Sequence, residues 1–249
     1  MKKLNWYYGL AIVILTVVYV ILSEKVDNEM ILPKLGLIFN YFKNLDFTVF
    51  VTHTGATVLK VVISYLLSLT LALLLAIIAY YRKFFRMINP YISILKTLPT
   101  ISIILIALIW LGNEKSIYLI ANLVILPILY ETFFYHLKNI DPKLVDVSKI
   151  YQFNFRKKLR FLYYYPLLEG LMVSLKQTFG LCFKVIVMAE VIGQSQSGIG
   201  AQIQNEKVNL EMVGVFSWTI ILIIFVLMID FALDYIAKKI IRWKCYNEN

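Results

Sequence analysis

Charge is scarce in this chain. Asp, Glu, Lys and Arg make up only 16% of its 249 residues, against about a quarter in ordinary soluble domains. Residues of the set AVILMFWYC account for 60% of it, and the mean hydropathy is +0.75. This balance excludes a soluble enzyme and a disordered tail. Cysteine is nearly absent too. Cys182 lies in an apolar run and Cys245 near the end, which excludes a disulfide scaffold and matches no metal or redox spacing. The two histidines, His53 and His136, lie near opposite ends of apolar segments and cannot share a metal site. There is no GxxxxGK[ST] phosphate loop and no HExxH, so ATP hydrolysis is not expected of this chain, and no cofactor or metal is expected. The single Gly-x-Gly, Gly198-Ile199-Gly200, follows no strand pattern and reads as a turn. No internal repeat or low-complexity segment is visible.

What the chain has is long apolar runs. A membrane span needs about 20 predominantly apolar residues. Six segments meet or approach this, roughly 4–23, 57–81, 91–111, 116–137, 170–192 and 212–237. The first follows Lys2 and Lys3 as a signal peptide would. It is longer than a usual signal core, however, and no small-residue cleavage site follows it, so it reads as a retained span. The expected fold is an all-α membrane protein with six transmembrane helices. Pro99 and Pro127 should kink or break the third and fourth of them.

The basic residues are placed by topology. One set of loops holds Lys2, Lys3, Arg82, Lys83, Arg86, Lys138, Lys143, Lys149, Arg156, Lys157, Lys158, Arg160, Lys238, Lys239, Arg242 and Lys244. The other holds only Lys25, Lys34, Lys43, Lys115 and Lys207. An excess of Lys and Arg marks the cytoplasmic side, so both termini are expected in the cytoplasm. An even number of spans requires the same. The net charge of +10 is thus assigned to topology and not to nucleic acid.

Two loops are long enough to hold structure. In the outer loop, 24–56, Leu35, Ile38, Phe39 and Phe42 follow Pro33 at helical spacing, which predicts a short amphipathic helix at the membrane interface. The inner loop, 138–166, carries Val147, Ile150, Tyr151, Phe155, Leu159 and Leu162 among its charges. Composition leaves two readings for it: an interfacial helix drawn to anionic headgroups, or a docking surface for a cytoplasmic partner.

Ionisable residues inside spans are costly and mark functional sites by default. Lys184 lies nearest the middle of the fifth span, with Lys176 towards its inner end and Glu190 towards its outer end. Lys184 and Glu190 are six residues apart, about 120° around a helix, and need not pair. Lys184 either lines a polar pathway, or pairs with an acid on a neighbouring span or bonds the freed carbonyls of a kinked helix. Asp230, Asp234 and Lys238 form an ion ladder at the inner end of the last span.

The last third of the chain resembles a known family. Pro142-Lys143-Leu144-Val145-Asp146-Val147-Ser148, the basic run after it and Tyr165-Pro166 are similar to the cytoplasmic "EAA" loop of ABC importer permeases. Aligned on Pro166, the E-A-A positions hold Val147, Ser148 and Lys149, and the glycine position holds Phe153. A shift of one residue brings Asp146 to the acidic position. The glycine is missing in either register, so the motif is degenerate. Phe183 to Gly193 followed by Gly198-Ile199-Gly200, Phe216-Ser217-Trp218-Thr219, and Leu95-Lys96-Thr97-Leu98-Pro99-Thr100 with Leu108-Ile109-Trp110-Leu111 resemble the nitrate/sulfonate/taurine branch. Permeases of this kind are also linked to thiamine-precursor pyrimidines. The similarity runs over roughly residues 33–240.

The resemblance implies a type I (MetI-like) permease fold in the bacterial cell membrane. It implies a homodimeric channel gripped by a cytoplasmic ATPase dimer and supplied by an extracytoplasmic binding protein. Asp146, Val147, Ser148, Lys149, Phe153, Phe155 and Pro166 would then carry the ATPase coupling, and Lys184, Glu190 and Trp110 the translocation pathway. The implied division is a first span at 1–23, an outer loop at 24–56, a permease core at 57–240 and a tail at 241–249. A secondary carrier or channel working without an ATPase, or a membrane assembly factor, are the readings set against it.

Overall fold

A computed structural model describes residues 2–26, 28–80 and 82–241, and within them the side chains of all but 2–9, 12, 82, 234 and 236–241. Among the described residues the chain is helical throughout, without strands. The elements in order are α1 (Lys2–Val26), α2 (Leu35–Asn44), α3 (Phe47–Ala79), α4 (Arg82–Thr97), α5 (Thr100–Lys138), α6 (Pro142–Ile150), α7 (Phe155–Lys158), a π-turn (Leu159–Tyr163), α8 (Tyr164–Ile192), α9 (Ile199–Val208) and α10 (Met212–Ile241). Among the described residues, four stretches are long and apolar enough to cross a membrane: Phe47–Ala79, Thr100–Lys138, Phe155–Ile192 and Met212–Leu233. The basic tail from Arg242, and the side chains of Asp234 and Lys238 in the expected ion ladder, lie outside the described residues.

The core forms where α5 packs between α3 and α8. The buried side of α3 is built from small residues, Thr57, Ser64, Ser68, Ala72, Ala76 and Ala79. Small residues let helix backbones approach closely, which is how membrane helices gain contact without a hydrophobic driving force. The facing side of α5 is bulky, with Ile117, Ile120, Ile125, Leu129 and Phe133 all fully buried. Large side chains on one helix thus fill the space left by small ones on the other.

The third expected span is corrected by the structure. Segment 91–111 is not one helix: its first residues end α4, Leu98 and Pro99 break the chain, and the remainder opens α5. Proline disfavours helical geometry in the residue before it, and Pro99 itself takes the extended N-cap conformation of α5 (φ −61°, ψ 130°). Pro127, in contrast, lies buried within α5, and helical backbone angles continue through it. The interruption falls at Gly112, whose φ of 72° and ψ of −177° turn the chain sharply. No side chain would clash there, so it is the backbone conformation that calls for glycine.

Helix α2 forms where the 24–56 pattern places one. Ile38 is buried and Phe42 packs towards Trp218 of α10, while Phe39 remains exposed. The Tyr41 phenol ties α2 to the neighbouring helices, donating to Glu206 Oε1 of α9 at 2.6 Å and accepting from Trp218 Nε1 at 3.1 Å. Burial, then the adjacent carboxylate, push its pKa well above the usual tyrosine range, so it stays protonated as the donor. Tyr19 links α1 to the rest of the chain. Tyr19 Oη donates to the Pro33 carbonyl at 2.7 Å, and its ring meets that of Phe216 edge-on.

Candidate functional site

The most concentrated polar chemistry lies at the end of the bundle where α8 stops. On α3, His53, Thr57 and Lys60 follow at helical spacing and face one side. Lys60 Nζ reaches Glu190 Oε1 of α8 at 3.1 Å, Ser195 Oγ at 2.8 Å and the Ser197 carbonyl at 2.6 Å. Glu114, just past the Gly112 turn, lies 3.4 Å from the same ammonium. Its other oxygen accepts from Ser195 Oγ and from the Gln196 amide, both at 2.8 Å.

Glu190 is fully buried, and each of its oxygens is satisfied. Thr57 Oγ1 and Lys60 Nζ approach Oε1, while Oε2 accepts from the Gly200 amide at 2.9 Å. The Ile199 amide donates to Thr57 Oγ1 at 2.8 Å. The carboxylate thus sits at the positive N-terminal end of α9, where the free amides and the helix dipole both favour an anion. The glycines of the Gly-x-Gly make this closure possible. Any Cβ at Gly198 or Gly200 would overlap the Glu190 side chain, and Gly198 has φ 134°. His53 completes the edge, accepting from the Gly198 amide at 3.2 Å and meeting Gln202 Nε2 at 2.7 Å.

Chemically this arrangement is a clamp. The one ammonium is buried and fully engaged, so it is not free to hold a solute. The clamp pins the loop between α8 and α9 to α3 and to the turn in α5. Among the described residues no group of His, Cys, Asp and Glu side chains has the arrangement of a metal site.

The expected pathway residues separate. Glu190 enters the clamp, but Lys184 lies on another side of α8, exposed together with Gln177 and Met188. No salt bridge or hydrogen bond within the chain engages Lys184 among the described residues. Trp110 is 73% exposed at the end of the first limb of α5, apart from both. The residues missed from sequence are Thr57, Lys60 and Glu114. Lys60 and Glu114 had a visible signal, an isolated charge beside an apolar run, but each lies near a segment end where charge is ordinary.

The coupling residues gather at the opposite, basic end. Helix α6 starts with Asp141 accepting from the Lys143 amide, followed by Pro142 in its first turn, a favourable N-terminal arrangement. Asp146 and Lys149 are exposed and pair with each other at 2.9 Å. Val147 and Phe155 are also exposed, and Phe153 and Pro166 are half-buried. Ser148 is buried and turned inward, its hydroxyl donating to the Val145 carbonyl, so its side chain offers nothing to an outside partner. Leu144, Ile150 and Tyr151 join Val147 as uncovered apolar residues. The π-turn at Leu159–Tyr163 leads into Pro166, a proline that cannot donate the hydrogen bond a regular helix would need there.

Comparison with known proteins settles the family. The family model for the binding-protein-dependent transport system inner membrane component matches residues 68–242. The chain belongs to this family. It is 24% identical over 249 residues to a protein of Bacillus subtilis named as the aliphatic sulfonates transport permease SsuC, covering 98% of this chain and 90% of that one. An ABC transporter permease protein of Methanocaldococcus jannaschii is 23% identical over 236 residues, covering 92% and 88% respectively. Among solved structures, a chain of the MetNI methionine ABC transporter in an inward-facing conformation superposes with a TM-score of 0.67 at 16% identity. It covers 78% of this chain and 96% of that one. The chain is therefore a membrane-embedded transport permease with a MetI-like fold, and its relatives are permeases and not enzymes.

Proposed function

We propose that this chain is the permease subunit of an ATP-driven importer for a small organic anion, with sulfonates favoured by the likeness to SsuC. In this reading α1 is the first of six spans, both termini are cytoplasmic, and two copies enclose the pathway. A separate ATPase dimer binds at α6, and an extracytoplasmic binding protein delivers solute at the α9 end.

The observation that carries the coupling is α6 itself. It is a short, capped helix at the most basic end of the bundle, and it leaves Leu144, Val147, Ile150 and Tyr151 uncovered. An exposed apolar patch rimmed by charge marks a protein or membrane interaction site, and the likeness to ABC transporter permeases favours a protein partner here. ATP-driven closure of the partner would move α6 and, through the π-turn, the long helix α8.

The pathway reading rests on the exposed side of α8. Lys184 stands about 12 Å from the end of that helix by helical rise. A cation facing lipid at that depth costs about 2.5–3.5 kcal/mol or more, which favours a water-filled path or a second subunit opposite Lys184. A thiamine-precursor pyrimidine is the other substrate class, and it would not need the lysine charge.

The test is to purify the tagged chain from its own cells and reconstitute it. An ATPase subunit should accompany it, and solute uptake should require ATP. Uptake by the chain alone, driven by an ion gradient, would make it a secondary carrier instead.

A further inference from the structure

An apolar groove with a volume of about 540 Å³ lies at the basic end, between α3 and α8. Pockets for small ligands span about 300–1,000 Å³. Leu73 of α3 and Leu167, Leu168 and Leu171 of α8 form its floor, all half-buried on membrane-crossing helices. Its rim is of a different character. Arg156 and Arg160, one helical turn apart, both border the groove and are both exposed. Neither forms an ion pair among the described residues, and the Arg160 guanidinium rests 5.7 Å over the ring of Phe161.

Two unneutralised guanidinium groups above a leucine floor match one kind of molecule. It has an anionic oxygen head for the fork-shaped donors and a hydrocarbon tail for the floor. The surrounding bilayer supplies it. We infer that this groove is a binding site for an anionic phospholipid, with the phosphate held by Arg156 and Arg160 and an acyl chain lying along Leu73, Leu167, Leu168 and Leu171. Basic pockets between spans near the headgroup level bind lipid heads in this way. The groove lies on the segment that joins α6 to α8, so an occupied site would stiffen the link between the docking helix and the pathway helix.

The site is tested by native mass spectrometry of the full-length chain with phosphatidylglycerol, and with phosphatidylcholine of the same acyl chains. Phosphatidylglycerol should be retained through dissociation conditions that strip phosphatidylcholine. The double variant Arg156→Gln/Arg160→Gln should weaken that retention about 30-fold, which corresponds to roughly 2 kcal/mol. Lys143→Gln/Lys157→Gln removes equal charge from the same loop outside the groove, and should change retention less than twofold. Leu168→Trp fills the floor with both arginines intact and should also lower retention. Equal loss in the two double variants would mean diffuse attraction and overturn the site. So would equal retention of the two lipids, competition by inorganic phosphate alone, or an unchanged Leu168→Trp variant. All of these readouts are independent of ATP-driven uptake, so failure here leaves the importer reading standing.

Discussion

Lys60 and Glu190 lie 130 positions apart in sequence, yet their side chains meet at 3.1 Å inside the bundle. The lysine side chain is 7% exposed and the glutamate not at all. Taking two charges out of water is expensive, and a buried pair persists only when its remaining hydrogen-bonding capacity is met. Ser195, Ser197, Thr57 and the Gly200 amide meet it here.

Breaking this pair from one side should therefore cost more than removing it altogether. Glu190→Ala leaves Lys60 buried beside the more exposed Glu114, and is expected to destabilise the purified chain by about 3–5 kcal/mol. The double variant Lys60→Met/Glu190→Ala should lose clearly less than the sum of Lys60→Met and Glu190→Ala made singly. Thermal unfolding in detergent measures all of these, and strict additivity would show that the pair is not coupled.

Gly198→Ala should open the clamp by a different route. The new Cβ has no room beside the Glu190 carboxylate, and the φ of 134° is one that only glycine adopts readily. Loss of folded protein or of uptake is expected. Gly36→Ala is the contrast, because nothing lies within 4 Å of its added Cβ, and it should behave as the parent in the same assays.

At the basic end, exposure sorts the coupling residues. Replacing Val147 or Ile150 by Glu should reduce co-purification of the ATPase subunit and ATP-driven uptake by about tenfold, the effect of losing roughly 1.4 kcal/mol of docking energy. Ser148→Ala should leave both within twofold, since its side chain points inward. A Ser148→Ala variant that uncouples transport would mean that α6 rotates on docking.

Lys184→Ala should lower uptake of an anionic solute on the order of tenfold without altering assembly or thermal stability, because the lysine is exposed and unpaired among the described residues. Lys184→Arg should restore most of the rate. Full uptake by the alanine variant would remove Lys184 from the pathway and turn attention to an uncharged substrate.

Membrane class and the short amphipathic helix after Pro33 were legible in the sequence, because apolar run length and helical periodicity are local properties. The capped helix α6 sits inside a loop recognised from Pro142–Ser148 and Tyr165-Pro166. A kink or break at Pro99 was legible, and the structure makes it a break, the boundary between α4 and α5. Gly112 was not marked, since a glycine between apolar runs looks the same whether it bends a helix or ends one.

The placement of polar side chains is where sequence and structure part. Lys184 and Glu190 stand out equally against the apolar background of α8, and helical spacing shows only that they face different ways. The tertiary structure decides what each one faces. It sets Glu190 against Lys60, Thr57 and the start of α9, and leaves Lys184 turned away from the rest of the chain. By itself the sequence determined the solvent this chain belongs in, because transfer free energy adds up along each apolar run whatever packs beside it. Which charges neutralise each other was decided only in three dimensions, because that depends on distances of a few ångströms between helices far apart in sequence.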